Sequence, residues 1–353
     1  MGQPAPHTFA PREVEAVLAH WRLKALFTRP AGGTANASLT VVGVRGQYVL
    51  RRRNPRYCDP EQLAYDHSVL HGLAKAGLPV PKVVRAAGGT RWVEHEGRIY
   101  ELHQFVEGAA FDPQDLNEVA AAGAMLARFH RATERLQPQG RKEWPRYFDP
   151  KASLKALKEA RRKLRGKAPG DLQPYGAGVV SDVLDRLLAE AQACERRLPD
   201  KAYWALPVTI VHGDWHPANL RFADHQVVGI FDFDWVGRQP RMVDLTDGLL
   251  FFGSLREQPL DGGDIWSLTQ PFRPVWERMQ VFMDAYRGHM PMQPAELLSL
   301  PDMLRQRALY NRVDPMTRKV PEDRKLAFLA AGQVPALLDW ISAHEERLQR
   351  GWG

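Results

Sequence analysis

The sequence predicts an α+β protein of two lobes, a β-rich N-terminal lobe over residues 1–105 and a larger, mainly helical C-terminal lobe over residues 106–353. Three observations predict it. Strand-type runs with Gly-containing turns fill much of the first third. From Asp112 the apolar period becomes helical, and a short β island interrupts the helices between residues 209 and 231. At 353 residues the chain is about two to three domain lengths, enough for a sizeable core. Hydrophobic residues make up 44% and charged residues 25%, which is ordinary for a globular protein and excludes a disordered, collagen-like or disulfide-scaffold chain.

Taken in order, Val14, Val17, Leu18 and Trp21 form a short amphipathic opening, and residues 31–37 supply turn chemistry. Residues 38–44 and 47–51 flank Arg45-Gly46 as a hairpin. Asp59-Pro60 offers an N-cap and a first-turn proline, Leu63, Leu70 and Leu73 mark one helical face, and Gly77 and Pro79 end that helix. Two more strands are expected around 83–87 and 98–105. Leu116, Val119, Leu126 and Phe129 then recur at helical spacing, as do Val180, Val183, Leu184, Leu187 and Leu188. The β island comprises 209–211, 220–222 and 227–231, with 223–226 as a hairpin turn. From about Met242 the chain is helical again, with Pro and Gly breaks.

Net charge is +7, but residues 141–167 alone hold eleven Lys/Arg against three Asp/Glu, a net +8, so the remainder sums to −1. A local basic element on a nearly neutral body argues against a general nucleic-acid binder. It reads either as a solvated helix face or as an electrostatic guide for an anionic ligand. No run approaches the roughly 18 apolar residues of a membrane span, and the opening residues lack a signal-peptide layout. Cys58 and Cys194 lie far apart and outside metal-binding spacing, which fits a reducing, cytoplasmic setting.

The most informative stretch is Val211-His212-Gly213-Asp214-Trp215-His216-Pro217-Ala218-Asn219, a loop between two short strands. Its His-x-Asp-x-x-Pro-x-Asn spacing resembles the catalytic loop of protein kinases. Thirteen residues beyond Asn219 comes Phe231-Asp232-Phe233-Asp234, in the place of the kinase metal-binding Asp-Phe-Gly. The chemistry explains these residue types. A nucleoside triphosphate repels an oxygen nucleophile, and magnesium, which offsets part of that charge, takes a few hard oxygen ligands while keeping waters. Asp232 and Asn219 supply such oxygens if loop and hairpin converge. Asp214, kept off the metal, orients the acceptor hydroxyl and takes its proton.

With these motifs the chain resembles the aminoglycoside phosphotransferase family of kinase-like small-molecule phosphotransferases, most of all its homoserine kinase type II branch. HGDWHPAN and IFDFD match the family's His-Gly-Asp-x-x-x-x-Asn and Ile-Asp-(Phe/Leu) segments. GGTANASL, YVLRRR, AGLPVP, YELHQFVEG, LARFHRA and RMVDL extend the likeness over roughly residues 30–253. The resemblance implies a protein-kinase-like bilobal fold and an ATP- and Mg2+-dependent transfer of phosphate to a small-molecule hydroxyl. It makes Asp214 the catalytic base, and Asn219 and Asp232 the metal ligands. It places Gly32, Gly33, Thr34 and Asn36 in a loop over the phosphates, Val49 against the adenine and Arg51 on the phosphates. Asp66, with Glu61 as the alternative, would be the helical acid pairing with Arg51. Residues 101–105, Glu101, Leu102 and His103 among them, would form the hinge whose backbone bonds the adenine edge. His212 and Asp244 would support the loop structurally.

Several positions carry a plain reading beside the functional one. Arg51 equally suits a solvated edge of the Arg51-Arg52-Arg53 run, Asp66 an exposed helix charge, Gly32-Gly33 a simple turn, and Asp234 a metal-site acid or a surface residue. Asp244 suits a helix N-cap that braces the loop. The favoured acceptor is homoserine-like, since a basic segment bordering the acceptor site would repel polycationic aminoglycosides. Sugar and amino-sugar kinases stay open, as does a catalytically silent kinase-like binding protein. A two-metal hydrolase is argued against, because Gly-Asp-x-His stands here without its partner motifs. A monomer or homodimer with no membrane or nucleic-acid partner is expected.

Overall fold

The computed structural model describes residues 8–31, 36–166, 172–258, 264–270, 272–332 and 334–352. In chain order its elements are α1 (Pro11–Ala19), β1 (Ala25–Pro30), β2 (Ala37–Gly43), β3 (Gly46–Arg52), α2 (Pro60–Lys75), β4 (Val93–His95) and β5 (Arg98–Gln104). Then come α3 (Leu116–Thr133), α4 (Pro150–Leu164), α5 (Ala177–Arg197), α6 (Asp200–Trp204), β6 (Val208–Val211), β7 (Leu220–Ala223), β8 (Gln226–Ile230) and β9 (Gly237–Pro240). The rest is α7 (Met242–Phe251), β10 (Ser254–Arg256), β11 (Phe272–Pro274), α8 (Trp276–Arg287), α9 (Pro294–Arg318), α10 (Lys325–Ala330), α11 (Val334–Ala343) and α12 (Glu345–Arg350). The α+β class is the one the sequence predicts.

Two compact units result. The first is drawn from Met1–Phe111, Arg135–Lys142 and Asn219–Trp235, the second from Asp112–Glu134, Glu143–Ala218 and Val236–Gly353. A single boundary at 105/106 gives way to this interleaved division for a physical reason. The β7–β8 hairpin bonds back onto the first unit, Ala109 and Phe222 exchanging two backbone hydrogen bonds (2.8 and 3.0 Å) and Ile230 N donating to Pro79 O at 2.8 Å.

In the first unit an antiparallel sheet of order β1-β2-β3-β5-β4 carries α1 on one face. Period-two alternation puts Leu39, Val41, Leu50, Tyr100 and Leu102 against Val14, Val17, Leu18 and Trp21. Arg52 shares that face and pairs with Glu13 at 2.6 Å. The opposite face carries Val49 and Arg51, opposed across the ladder by His103 and Glu101. α2 starts where expected, Asp59 Oδ1 accepting from Glu61 N and Gln62 N at 3.0 and 3.1 Å. Residues 83–87 form no strand. After Pro79 and Pro81 the segment lies along β5 through one bridge, Val83 to His103, and Val84 N donates to Leu102 O. β1 and β4 went unread because one is mostly exposed and the other has three residues.

In the second unit α3, α7, α8 and α9 surround a buried core. Gly248 lets Phe282 of α8 close on α7: a Cβ there would sit 2.1 Å from the ring's Cζ. The β island is completed by β9, which pairs with β6 and was not expected from its Gly-Arg-Gln-Pro sequence. One stretch, Glu322–Ala343, is long and apolar enough by length and composition to cross a membrane. It is broken into a short 3-10 turn, α10 and α11, and Leu326, Phe328, Leu329, Leu337, Leu338 and Ile341 are buried within the unit.

Candidate active site

In the first unit, the alternation that places Val49 and Arg51 on the face away from α1 also carries Arg53 there, just past the end of β3. The result is a buried network of charges. Arg51 Nη2 lies 2.7 Å from Asp234 Oδ1 and 3.0 Å from Asp232 Oδ1, and its Nη1 is 3.8 Å from Glu101 Oε2. Arg53 bonds Asp66 Oδ2 at 2.7 Å and Glu101 Oε1 at 2.9 Å. Lys142 Nζ donates to Asp66 Oδ1 (2.6 Å) and to the Asp234 carbonyl (2.8 Å), and His67 Nε2 lies 2.9 Å from Glu101 Oε1. Burial by itself would raise Glu101, but the Arg53 guanidinium and its hydrogen bonds hold the carboxyl well below its ordinary range.

Several expectations are corrected by this geometry. Asp66 is buried rather than an exposed helix charge, and it pairs with Arg53 and Lys142 rather than Arg51, because Arg53 lies nearer α2. Arg51 is no solvated edge, and Asp234 is no surface residue: it is buried between Arg51, Arg53 and Asn36. Most of the backbone of Glu101, Leu102 and His103 is taken up by the sheet. Glu101 and His103 oppose Arg51 and Val49 in the ladder, and Leu102 O accepts from Val84 N. The side chain of Glu101 faces the charge network and that of Leu102 the α1 core. Asn36 is buried, its amide donating to Asp234 Oδ2 at 2.6 Å and its oxygen accepting from Asn54 N at 2.9 Å. Val49 is half-buried on the Arg51 face. Gly32, Gly33 and Thr34 lie outside the described residues.

The β7–β8 hairpin brings Asn219 and Asp232 to its open end, where Phe231 N donates to Asn219 O at 2.9 Å. Asp232 adopts a φ of +60°, a left-handed conformation costly for most non-glycine residues and common where chemistry needs a side chain re-aimed. Its carboxylate remains 36% exposed, whereas Asn219 is buried.

In the second unit the loop after β6 is clamped from below. His212 N and Gly213 N each donate to Asp244, at 2.7 Å. Asp244 Oδ2 also lies 3.0 Å from His130 Nε2, whose other nitrogen is 2.9 Å from the Tyr286 hydroxyl. Asp244 stands inside α7, whose cap position is Arg241, so it reaches back to the loop rather than capping the helix. Gly213 takes φ +80°, which a side chain would oppose. The His212 ring packs edge-on against Phe129 and Trp215. Asp214 Oδ2 lies 3.2 Å from His216 Nε2. Burial works to raise Asp214, yet His216 and then Arg307 outweigh it and hold the carboxyl far below its usual range. Burial lowers His216 in turn, and Asp214 more than restores it, so its pKa is raised.

Sequence reasoning missed Arg53, Lys142, Asp247 and Arg307. The two-residue strand period was the available signal for Arg53, and an acid inside the apolar run of α7 was the signal for Asp247. Lys142 lay hidden in a basic run. Of that run, Lys142, Arg146, Lys151, Arg161, Arg162 and Lys163 are all in ion pairs, while Lys155, Lys158 and Arg165 are exposed.

A five-stranded antiparallel sheet followed by a helical unit with a loop between short strands defines a kinase-like phosphotransferase architecture. The chain belongs to the phosphotransferase enzyme family, whose family model matches residues 27–282. It is an enzyme that transfers phosphate to a hydroxyl acceptor on a small molecule. It is 25% identical over 284 residues to a homoserine kinase of Acidiphilium cryptum, covering 79% of this chain and 76% of that one. An uncharacterized protein of Deinococcus radiodurans is 26% identical over 257 residues, 71% and 66% of the two chains. Among solved structures, an aminoglycoside phosphotransferase from Alicyclobacillus acidocaldarius superposes with a TM-score of 0.68 at 16% identity, over 98% of both chains. A microcompartment-associated aminopropanol kinase gives 0.66 at 18% identity, over 95% of this chain and 98% of that one. An amicoumacin kinase solved with AMP-PNP and Ca2+ has the same fold, at a TM-score of 0.59 and 16% identity.

Proposed function

We propose that the enzyme moves the γ-phosphate of ATP to the hydroxyl of a homoserine-like acceptor, with Asp214 as base and Asn219 and Asp232 as Mg2+ ligands. The observation that carries this reading is Asp232: at the hairpin's open end that also holds Asn219 its backbone takes a left-handed turn, its carboxylate stays partly exposed, and Arg51 Nη2 lies 3.0 Å from it. One carboxylate and one amide oxygen fit magnesium, which is commonly held by one or two protein oxygens plus phosphate and water. The ion, when bound, offsets the charge of the triphosphate tail. Arg51, now on Asp232 and Asp234, would turn its guanidinium to a phosphate oxygen.

In the transfer the acceptor oxygen bonds to the γ-phosphorus, the bond from that phosphorus to the bridging oxygen breaks, and the hydroxyl proton passes to Asp214. A carboxylate held far below its usual pKa is a weak base but a permanently ionised one. That suits a loose transition state, in which the alcohol loses its proton late and orientation counts for more than basicity. His212 and Asp244 hold the loop, and Asn36, Val49, Arg51, Asp66 and Asp234 shape the nucleotide side. Since most of the backbone of residues 101–104 is engaged in the sheet, the adenine edge would meet the chain toward the Phe105 end of the hinge. Gly32, Gly33 and Thr34 keep their proposed place over the phosphates.

The homoserine kinase relatives support the acceptor class at about one-quarter identity. The electrostatic case against polycations is weaker than charge counting suggested, because most of the basic segment is paired, so an amino-sugar acceptor is the second reading. A monomer or homodimer acting in the cytoplasm without membrane or nucleic acid completes the proposal. The test is nucleotide consumption against a panel of hydroxyl metabolites, with and without magnesium. Turnover of homoserine that requires magnesium supports it, and nucleotide binding without turnover of any acceptor would identify a silent binding protein instead.

A further inference from the structure

Beside Asp214, the second unit contains an acid that the transfer chemistry does not use. Asp247 lies one helical turn beyond Asp244 on α7 and is fully buried. Its Oδ1 is taken by Arg307 Nε of α9, while its Oδ2 is buried with no hydrogen-bond partner among the described residues. A buried carboxylate oxygen left unmatched is costly and rare in a folded protein, and calls for a reason. Arg307 is held by Asp247 and Asn311 and walled by the rings of Phe148 (4.7 Å) and Phe251 (5.4 Å). Its Nη2 makes no hydrogen bond among the described residues. His216, bonded to Asp214, packs at a tilt against the same Phe251, with ring centroids 5.5 Å apart. One aromatic ring therefore touches both the base's partner and the Arg307 guanidinium, and Asp214 and Asp247 feel each other's charge.

We propose that Asp247 and Arg307 read the acceptor as a small zwitterion, Asp247 Oδ2 receiving its ammonium and Arg307 Nη2 its carboxylate, while Asp214 orients its hydroxyl. This deepens the kinase reading and rests on it. An unpartnered carboxyl oxygen and an unused guanidinium nitrogen, side by side on one ion pair, offer one site for each charge of a hydroxy-amino acid, the ammonium drawing Asp247 into its ionised form. A plain alcohol or neutral sugar would satisfy neither. The Phe251 ring shared by Arg307 and by Asp214's partner His216 sets this pair near Asp214, which favours an acceptor whose amine and hydroxyl are a few bonds apart over a large polyamine.

The test is steady-state kinetics of the full-length enzyme with ATP and magnesium, using homoserine, 3-aminopropan-1-ol (ammonium only) and 4-hydroxybutanoate (carboxylate only). The wild type should show a KM for 4-hydroxybutanoate about 30-fold or more above that for homoserine, the scale expected when a buried charge loses its partner. Asp247→Asn should raise the homoserine KM until that ratio approaches one, with the nucleotide KM unchanged, and Asp247→Glu should retain the preference. A wild-type enzyme indifferent to the ammonium overturns the proposal even if no variant folds, as does an unchanged ratio in Asp247→Asn. Turnover of an acceptor lacking both charges, with no use of homoserine, sinks the zwitterion site and leaves the kinase reading intact. A wild type that consumes no ATP with any hydroxyl compound sinks the kinase reading itself.

Discussion

The roles proposed for Asp214 and Asp232 are separable by single substitutions. Asp214→Ala should lower kcat by about 10²–10⁴-fold, the usual contribution of a positioned base, with nucleotide affinity unchanged. Asp232→Ala should instead weaken magnesium-dependent nucleotide binding. Calorimetric titration of nucleotide into both variants checks this, and equal loss of affinity would contradict the assignment. Asp247 adds a pH signature. Burial, opposed by Arg307 and reinforced by Asp214, pushes its pKa up to about 7. Folding therefore favours its neutral form, and the acid costs stability as pH rises from the unfolded carboxylate range toward 7. Asp247→Asn cannot ionise, so its melting temperature relative to wild type should be higher at pH 8 than at pH 5. These acids differ in how visible they were. Asp214 and Asp232 sit in spaced motifs, whereas Asp247 gained its meaning only when α9 delivered Arg307.

Among the elements, the clamp between α7 and the loop after β6 carries the most. Asp244→Ala removes the acceptor for two loop N–H groups and the partner of buried His130, and should lower unfolding stability by about 3–5 kcal/mol. Chemical denaturation measures it, and a loss under 1 kcal/mol would show that the clamp is slack. Gly248→Ala drives a methyl into the Phe282 ring and should cost about 1–3 kcal/mol by overpacking, readable in the same experiment. Elements with strong local signals were legible: α2 from Asp59-Pro60 and its leucines, the β7–β8 hairpin from its flanking apolar runs. That hairpin turns on Asp224 and His225, both at positive φ, a geometry its sequence does not advertise. β1, β4 and β9 were missed because short or exposed strands acquire their identity from a neighbour's hydrogen bonds. Residues 83–87 had strand composition without the room to build a ladder.

On the scale of the whole molecule, the first unit's charge network decides acid tolerance. Glu101 is held far below the usual carboxylate range, so it contributes stability at neutral pH that is lost as pH falls through and below that range. Glu101→Gln should be clearly less stable than wild type at pH 7, and the gap should narrow by pH 4, as denaturant titrations at both values would show. A constant gap would mean that the contribution is packing rather than charge. The sequence by itself determined the α+β class, the helical period, the loop motif from His212 to Asn219 and the kinship to phosphotransferases, because these rest on local spacing along a continuous stretch. Tertiary structure alone decided which charges meet. Arg51 reaches Asp232 and Asp234 across about half the chain, Arg53 takes the acid expected for Arg51, and Lys142 leaves a basic run to become a buried strut. A side chain's partner depends on which distant backbone the fold sets within a few ångströms, and no local pattern encodes that distance.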